Sequence, residues 1–321
     1  MTDAAVDPGR LAVLVAVAHA GSISAAARRM AFTPSALSQQ LGKLERELGC
    51  RLLERGPGGV RLTAAGRTLV GYGERVQGEL SAAGEAVRAL LGAEPRRLSI
   101  GAFPTAGKIL VPPALAEFRR RHPATRLSLL DLEPPHGYGL VAAHELDLLL
   151  THRYPGVSLP EARGLRREPL LTDPLLVVVP TGDPLAGGGP VRLADTAGQD
   201  WISSREGVAD RITLTRLAQR AGVAARVAFE THDYEVTLAL LNAGLGIAVL
   251  PASVLLHADR SRIRVRRFAD ARPARRVYAV LRRRPSAQVT EVITIVRVVA
   301  AELTHAISAI VDLSGDSGSR A

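Results

Sequence analysis

The stretch TPSALSQQLGKLERELG, Thr33–Gly49, has the residue spacing of an amphipathic helix. Its four leucines step by four, three and four positions, which places them on one side of a helix: Leu37, Leu41, Leu44 and Leu48. Thr33 and Pro34 suit the N-cap and the first helical position. The opposite side carries small and amide side chains, among them Ser35 and Gln39. The sequence therefore predicts a helix that buries its leucines and turns a slim polar tip outward.

Two shorter helices and a hairpin are predicted around this segment. Leu11–Ala20 has the apolar spacing of a helix that Gly21 ends, and Ser22 or Ser24 can cap a second short helix. RLLER and VRLT, joined by GPGG, have the pattern of a small β-hairpin. Helix, turn, helix and hairpin together predict a winged helix-turn-helix over residues 5–63.

A long linker helix is predicted over residues 64–92, with Thr63 as its cap. Apolar or small residues recur every seven positions along it in two neighbouring series. The first series is Leu69, Val76, Ala83 and Leu90, and the second is Gly73, Leu80 and Val87. Such an apolar seam favours a partner helix and therefore a homo-oligomer. The alternative is a helix that packs on its own chain. Three glycines, Gly73, Gly78 and Gly84, also lower the helix propensity and weaken the coiled-coil prediction.

Beyond the sequence GAEPRR near residues 92–97, strand and helix patterns alternate. RLSIGAF, RLSLLDL and LDLLLTH are predicted strands, with a helix over KILVPPALAEFRRRHP between the first two. A second group of strands, LLVVVP, DWISS, ARVAFET and GIAVLP, is separated by helices near 208–221 and 233–243. This repeated alternation predicts an α/β domain over residues 96–312. We expect the tail, residues 313–321, to be disordered.

The formal charge of the 321-residue chain is +10, but the placement of its arginines weakens an argument for nucleic acid from charge alone. Ten arginines and one acidic residue lie between Arg262 and Arg284, far from the predicted helix-turn-helix. Arg262, Arg264 and Arg266 alternate, and we expect them on one solvated face at a sheet edge. Cys50 is the single cysteine, so an intrachain disulfide is excluded.

A cytoplasmic protein without a membrane span is predicted. The first ten residues, MTDAAVDPGR, lack the basic and then apolar order of a signal peptide. The longest apolar patches, such as PLLVVVP and GLGIAVLP, are the size of strands and shorter than the roughly 18 residues that a membrane helix requires.

Catalytic and cofactor motifs are not found in the sequence. GAFPTAGKI approaches a phosphate-binding loop, but five residues separate Gly101 from Gly107 where that motif needs four, and Ile109 replaces its hydroxyl residue. GLGIAV lacks the third glycine of a dinucleotide fingerprint. A nucleophile elbow and paired cysteine and histidine spacings are also missing. We therefore predict no enzyme activity, no cofactor and no metal site.

The amino-terminal region, with its predicted helices and hairpin, strongly resembles the DNA-binding domain of LysR-type transcriptional regulators. The landmarks fall in order over about sixty residues: Ala18, Gly21-Ser22, Ala26-Ala27, Ser38, Leu44-Glu45, Leu48-Gly49, Leu52, Glu54-Arg55, Arg61-Leu62-Thr63 and Gly66. HELDLLLTH and NAGLGIAVLP resemble later strands of the family more weakly. Two positions depart from the family pattern. Pro34-Ser35 opens the recognition helix where the family often has Gln followed by Pro or Ser, and Leu53 replaces a Phe of the wing.

The resemblance implies a winged helix-turn-helix, a linker helix and a two-lobed effector domain like the type II periplasmic binding proteins. On this basis lobe I covers about 96–165 and 268–312, and lobe II covers about 166–267. The resemblance further implies dimers or tetramers that bind double-stranded promoter DNA, with RNA polymerase as a further candidate partner.

The candidate DNA contacts follow from the need for small or flexible side chains at the helix tip that enters a major groove. They are Arg28, Thr33, Pro34, Ser35, Ala36, Ser38, Gln39, Gln40, Lys43, Arg55 and Arg61. Gln39 can pair with adenine, and Pro34 and Ala36 can touch a thymine methyl. Hydroxyl and basic residues are expected on phosphates, with Arg28 and its neighbour Arg29 clamping a backbone. The alternative is an ordinary solvated helix face.

Candidate effector contacts lie where strands of the α/β domain end, near helix N-termini. The first lobe supplies Thr105, Thr151 and His152, and the second supplies Ser203, Ser204, Arg205, Thr231 and His232. Hydroxyl groups and available N–H groups suit a small polar or anionic effector, and Arg205 can pair with a carboxylate. The alternative is that the Ser and Thr residues only cap helices.

These patterns predict a sequence-specific DNA-binding regulator that is controlled by a small molecule between two lobes. A solute-binding protein that uses residues 96–312 for capture and a lobed α/β enzyme are the alternatives. The amino-terminal helix-turn-helix argues against the first. The missing set of nucleophile, base and orienting residue argues against the second.

Overall fold

The computed structural model describes residues 6–56, 59–90, 97–160, 162 and 164–313. Three helices, a two-stranded hairpin and a long helix form its amino-terminal part. They are α1 (Pro8–Ala20), α2 (Ile23–Met30), α3 (Pro34–Leu48), β1 (Leu53–Gly56), β2 (Gly59–Leu62) and α4 (Ala64–Leu90). The strands β1 and β2 are antiparallel. The winged helix-turn-helix expected from the sequence is present.

Local capping sets the ends of the first helices. Gly21 ends α1 in a left-handed conformation with φ of 67°, a conformation that glycine adopts at little cost. The Ser22 hydroxyl accepts a hydrogen bond from the Ala25 amide at 3.1 Å, so Ser22 rather than Ser24 caps α2. The small residues Ala26 and Ala27 are fully buried and let α2 approach the other helices closely.

The leucine side of α3 is buried over most of its length. Leu37, Leu41 and Leu44 are 0–3% exposed and pack with Leu14 in the core of this domain. Leu48 departs from the prediction because its side chain is 36% exposed. It is the last residue of α3 before the left-handed Gly49, so it lies beyond the edge of the core that α1 covers.

Two polar residues fix the wing and the start of α4. The Glu45 carboxylate accepts hydrogen bonds from the amides of Leu52 and Leu53 at 2.7 and 3.2 Å. The Thr63 hydroxyl accepts from the Gly66 amide at 3.0 Å, which confirms Thr63 as the cap of α4. A Cβ at Gly66 would lie 2.1 Å from the Leu52 carbonyl oxygen, so this close approach requires glycine.

Helix α4 packs on its own chain along one side. Its Gly73 faces Leu11 and Val15 of α1, and Gly78 faces the carbonyl oxygen of Ala142 in the second domain. These glycines lower helix propensity, as expected, but they also permit two close contacts that larger side chains would prevent. The sequence GAEPRR that we predicted as a linker lies almost entirely outside the described residues.

The second domain is an α/β domain. Its helices are α5 (Pro104–Ile109), α6 (Val111–Arg121), α7 (Tyr138–Ala142), α8 (Ala209–Arg220), α9 (Tyr234–Asn242) and α10 (Ala287–Leu313). Its strands are β3 (Arg97–Ala102), β4 (Arg126–Asp131), β5 (Leu148–Arg153), β6 (Leu165–Pro180), β7 (Asp200–Ser203), β8 (Arg226–Glu230), β9 (Ile247–Pro251), β10 (Ile263–Arg266) and β11 (Ala274–Arg282). The strand order is β4-β3-β5-β11-β6-β9-β7-β8, and β10 also pairs with β6.

One long strand, β6, runs through both lobes of this domain. Strand β6 pairs with β11 as far as Pro174, and from Leu175 onward it pairs with β9. The change of partner within one strand places β3, β4 and β5 in one lobe and β7, β8 and β9 in the other. Within each of these groups neighbouring strands are parallel, as the helix-containing connections require.

Helix α10 is the one helix of the described chain that is long and apolar enough to cross a membrane by length and composition. Its inward side, which includes Val292 and Val296, is buried in the core beside Phe118 of α6. On its outer side Glu291 contacts the ring of His122 at 2.8 Å. The contacts are those of a helix that covers a sheet in a folded domain.

The alternating arginines of β10 do not share one solvated face. Arg264 is exposed, but Arg266 is 4% exposed and donates a hydrogen bond to the carbonyl oxygen of Ala186. The sheet-edge expectation is wrong for Arg266, because the 3₁₀ segment Pro184–Ala186 packs over this strand.

Candidate functional site

The tip of α3 is a capped, exposed helix N-terminus. The Thr33 hydroxyl accepts from the Ala36 amide at 3.2 Å and lies 3.0 Å from the Ser35 hydroxyl. Pro34 occupies the first helical position. The tip therefore combines small side chains, two hydroxyl groups and the positive end of the helix dipole, all of which suit contact with phosphates.

Most of the predicted DNA contacts lie on the surface. The exposed ones are Arg28, Thr33, Pro34, Ser35, Gln39, Gln40, Lys43 and Arg61. Ala36 and Ser38 are half-buried at the flank of α3. Arg55 lies in β1 opposite Val60, and its side chain falls outside the described part of the structure.

The exposed residues of α3 form one continuous strip. Ser35, Gln39 and Lys43 are four positions apart, which aligns them along one face of the helix. The buried leucines occupy the other side. The domain thus presents an amide and an ammonium in line behind the slim tip, an arrangement that can enter a groove and read a base edge.

Arg29 has a different partner from the one expected. Its guanidinium donates a hydrogen bond to the carboxylate of Glu145, in the turn between α7 and β5 of the second domain. Arg29 therefore faces the second domain in this structure, and its role in clamping a DNA backbone stays a prediction. Its neighbour Arg28 is exposed.

The second candidate site lies between the lobes, around the end of β5. His152 is 7% exposed and lies edge-on to the rings of Phe103 and Tyr154, at 4.6 and 5.3 Å between centroids. Its Nε2 is 3.3 Å from Glu133 Oε2. Burial lowers the pKa of His152, so the ring is neutral at neutral pH. The site therefore offers a neutral imidazole beside a carboxylate.

Two tyrosines connect the lobes at this site. The hydroxyl of Tyr154, just beyond β5, lies 2.8 Å from that of Tyr234 at the start of α9. Burial raises the pKa of Tyr154, and burial raises that of Tyr234 to about 12. Both hydroxyls therefore stay protonated at neutral pH and can donate hydrogen bonds.

A buried ion pair lies where the chain crosses between lobes. Arg275 Nε on β11 lies 2.9 Å from Asp173 Oδ2 on β6, and the Ser253 hydroxyl donates to the same carboxylate oxygen at 2.7 Å. Burial alone would lower the pKa of Arg275, but the charge and hydrogen bond of Asp173, together with the nearby tyrosines, outweigh burial and raise it. Thr105 lines a small cavity beside this pair. The cluster stabilises the crossing strands and leaves little net charge there.

Two of the predicted effector residues make local hydrogen bonds near the starts of α8 and α9. The Ser204 hydroxyl donates to Asp210 Oδ2 at 2.7 Å, in the first turn of α8. The Thr231 hydroxyl accepts from the Asp233 amide at 3.1 Å, beside the start of α9. Neither residue caps a helix, since the N-caps of α8 and α9 are Val208 and Asp233, so the capping alternative does not describe these two residues.

The other predicted effector residues differ in exposure. Thr151 and Ser203 are buried at the ends of β5 and β7, whereas Arg205 and His232 are exposed. Lys108 of α5 and Glu235 of α9 form an ion pair that joins the two lobes at the surface. Tyr234 of the second lobe contacts Tyr154, which lies edge-on to His152 of the first lobe, and the predicted effector contacts stay a prediction.

Sequence reasoning missed several residues of this site: Glu133, Tyr154, Asp173, Asp210, Tyr234 and Arg275. Tyr154 follows His152 by two positions, and this spacing at the end of a predicted strand could have identified it. Arg275 was counted only as one of the ten arginines between Arg262 and Arg284. Its burial depends on Asp173, which is 102 positions away.

Two family descriptions match most of the chain. Residues 8–67 match the bacterial regulatory helix-turn-helix proteins of the lysR family, and residues 92–301 match the LysR substrate binding domain. Among curated relatives, the HTH-type transcriptional regulator CbbR of Xanthobacter flavus is 32% identical over 257 residues, covering 78% of this chain and 75% of CbbR. The transcriptional activator protein LysR of Escherichia coli is 29% identical over 270 residues, covering 84% and 85% of the two chains.

The architecture is also similar to that of a solved regulator. A full-length OxyR variant from Pseudomonas aeruginosa superimposes with a TM-score of 0.66 over 92% of this chain and 95% of OxyR, at 23% identity, and therefore shows the same fold. The two family matches, the exposed α3 tip and the two-lobed domain lead to one conclusion. The chain belongs to the LysR family of transcriptional regulators, which bind promoter DNA as oligomers and respond to small-molecule effectors.

Proposed function

We propose that α3 is the recognition helix and that Gln39 reads a base edge in the major groove. The single observation that carries this proposal is the division of α3 into a buried leucine side and an exposed strip of Ser35, Gln39 and Lys43. The amide of Gln39 can form two hydrogen bonds with adenine. Hydroxyl and basic groups around it hold the phosphates on either side of the groove: Arg28, Thr33, Ser35, Ser38, Gln40, Lys43, Arg55 and Arg61. Pro34 and Ala36 are placed against thymine methyls.

The linker helix α4 is proposed to pair with α4 of a second copy. Four large apolar side chains of α4 are exposed, by 56, 37, 63 and 57%: Tyr72, Val76, Leu80 and Val87. Their steps of four, four and seven keep them on one side of the helix. Since another side of α4 already packs on α1 and α7, the exposed stripe is available for a partner. Paired α4 helices would present two winged helices to two half-sites.

The effector is proposed to bind between the lobes, against His152, Tyr154 and Tyr234. Glu133 contacts His152, and Asp210 is hydrogen-bonded to Ser204 at the same site. These carboxylates favour a small polar effector that donates hydrogen bonds, while the tyrosine hydroxyls can donate to it. The proposal needs no covalent step, and it places the protein in the cytoplasm, where promoter DNA is accessible.

A gel-shift assay on the DNA upstream of the gene, repeated across salt concentrations, tests the proposal. Specific binding with a steep salt dependence is expected from several phosphate contacts. Substrate turnover without DNA binding would support an enzyme instead. Small-molecule capture without DNA binding would support a solute-binding protein.

A further inference from the structure

Four charged side chains meet where the DNA-binding domain touches lobe I of its own chain. His19 Nε2, at the end of α1, lies 2.9 Å from Glu74 Oε1 on α4. His19 Nδ1 lies 3.7 Å from Glu145 Oε1, an ion-pair distance rather than a hydrogen bond. Glu145 also accepts a hydrogen bond from Arg29 of α2. The DNA-binding domain, the linker helix and lobe I each contribute to this cluster.

Two glycines bring the elements close enough for the cluster to form. A Cβ at Gly139 of α7 would lie 2.7 Å from Glu74 Oε1 and 2.8 Å from His19 Nε2. A Cβ at Gly78 of α4 would lie 2.9 Å from the Ala142 carbonyl oxygen, with the His144 ring next to it. A side chain at position 78 would clash with the backbone of Ala142, and one at position 139 would displace the side chains of Glu74 and His19 from the cluster.

The charges of the cluster are balanced and partly shielded from water. The side chains of His19 and Glu74 are 16% and 18% exposed. Burial alone would lower the pKa of His19, but Glu145 and Glu74 outweigh burial and raise it to about 9. The contact with His19 in turn lowers the pKa of Glu145. At neutral pH two positive groups, His19 and Arg29, therefore face two carboxylates.

Glu145 also lies in the turn that leads into the strand at the cleft between the lobes. It lies three positions before β5, the strand that ends with His152 and Arg153. The next charged residue, Asp147, accepts hydrogen bonds from the Ser99 amide at 2.8 Å and from Arg282 at 3.0 Å. These bonds tie the turn that carries Glu145 to β3 and β11. The turn that carries Glu145 and the strand that reaches the cleft therefore belong to one hydrogen-bonded unit of lobe I.

We propose that His19, Arg29, Glu74 and Glu145 form an electrostatic latch that holds the DNA-binding domain against lobe I of its own chain. Opening of the latch releases α1 and α2 and lets the winged helix change its orientation. The regulatory meaning of this release rests on the proposed function of the chain, but the docking itself does not. Such a latch is a two-state element whose equilibrium both the cleft and the DNA can bias.

The latch is tested by a distance measurement between spin labels in the full-length protein without DNA. Labels are placed on Ser24→Cys in α2 and Ala124→Cys in lobe I, with Cys50→Ser removing the native thiol. All three positions are exposed. Glu145→Arg places a third positive group beside His19 and Arg29. Glu79→Arg, at an exposed position of α4, makes the same change in charge away from the cluster.

A single population of label-to-label distances is expected in the parent protein and in Glu79→Arg. In Glu145→Arg the ratio of docked to undocked molecules is expected to fall at least about tenfold, because like charges at close range repel strongly. The proposal is overturned if Glu145→Arg and Glu79→Arg give the same distance distribution.

A pH series on the parent protein supplies a measurement that needs no disruptive substitution. Raising the pH from 7 to 10 passes through the pKa of His19, so the docked population is expected to fall, and His19→Gln is expected to abolish that dependence. A pH-independent parent distribution would overturn the latch. Gel shifts on the same proteins report separately on DNA binding, so failure of the proposed function and failure of the latch are distinguished.

Discussion

Arg275 Nε lies 2.9 Å from Asp173 Oδ2 at a point where the two side chains are only 2% and 1% exposed. The pair joins β11 to β6 where β6 passes from one lobe to the other. A buried charge is tolerated only with its partner, so these two residues depend on each other. The crossing of the lobes is therefore held by one ion pair and the Ser253 hydroxyl.

Asp173→Ala is expected to destabilise the protein by about 3–5 kcal/mol, because Arg275 would be left buried without its counter-charge. Chemical denaturation followed by circular dichroism measures this loss. Glu235→Gln removes one partner of the exposed ion pair with Lys108 and is expected to change stability by less than about 1 kcal/mol. Equal losses of stability in Asp173→Ala and Glu235→Gln would contradict the conclusion that Arg275 depends on Asp173 as its buried partner.

Gly66→Ala is expected to destabilise the winged helix by about 2–4 kcal/mol, since its Cβ would lie 2.1 Å from the Leu52 carbonyl oxygen. The melting temperature measures the loss. Gly71→Ala in the same helix meets no atom within 4 Å and is expected to stabilise by up to about 1 kcal/mol. The expected result is a lower melting temperature for Gly66→Ala and an unchanged or higher one for Gly71→Ala, and a similar decrease for both would contradict the prediction.

Gln39→Ala is expected to relax base preference at one operator position, because it removes a base-edge contact. Lys43→Ala, one turn further along α3, is expected to weaken binding to all sequences and to reduce the salt slope by about 1. Binding titrations on a panel of single-base operator variants measure both. Equal losses on every site for both variants would show that Gln39 does not read a base.

Leu80→Glu is expected to dissociate the oligomer without unfolding the chain, since this side chain is already 63% exposed in the single protomer. Analytical ultracentrifugation measures the change. Val298→Glu, on the outer side of α10 and 57% exposed, is the matched control and is expected to leave the oligomer intact. An unchanged oligomer in Leu80→Glu would place the interface elsewhere.

The His19 ring is expected to titrate near pH 9 rather than at its ordinary value of 6.5. Because the folded-state pKa is raised, His19 contributes stability that is fully present below pH 6.5 and is lost as the pH rises through about 9. The shift corresponds to at most about 3 kcal/mol. Imidazole NMR signals measured against pH give the pKa directly, and Glu74→Gln is expected to lower it. A His19 signal that titrates near 6.5 would contradict the ion-pair assignment.

Local features of the fold were predictable because they depend on residues a few positions apart. The cap of α3 joins Thr33 to Ala36, and the cap of α4 joins Thr63 to Gly66. The spacing of the leucines identified the buried side of α3, with Leu48 as the exception at its end. Such short-range patterns also place the α3 tip on the surface, so the candidate DNA contacts followed from the sequence.

The site between the lobes was only partly predictable, because its polar residues are defined by partners far along the chain. Tyr154 and Tyr234 are 80 positions apart, and Arg29 and Glu145 are 116 positions apart. No local spacing distinguishes the buried Arg275 from the exposed Arg276 next to it.

The sequence by itself determined several helix caps and the winged helix-turn-helix, because hydrogen bonds and apolar spacing within one helix or turn are encoded by neighbouring residues. Only the tertiary structure decided which arginines are buried, which tyrosines join the lobes and how the DNA-binding domain meets lobe I. Burial and charge pairing depend on which distant segments the fold brings into contact, and a linear pattern does not contain that information.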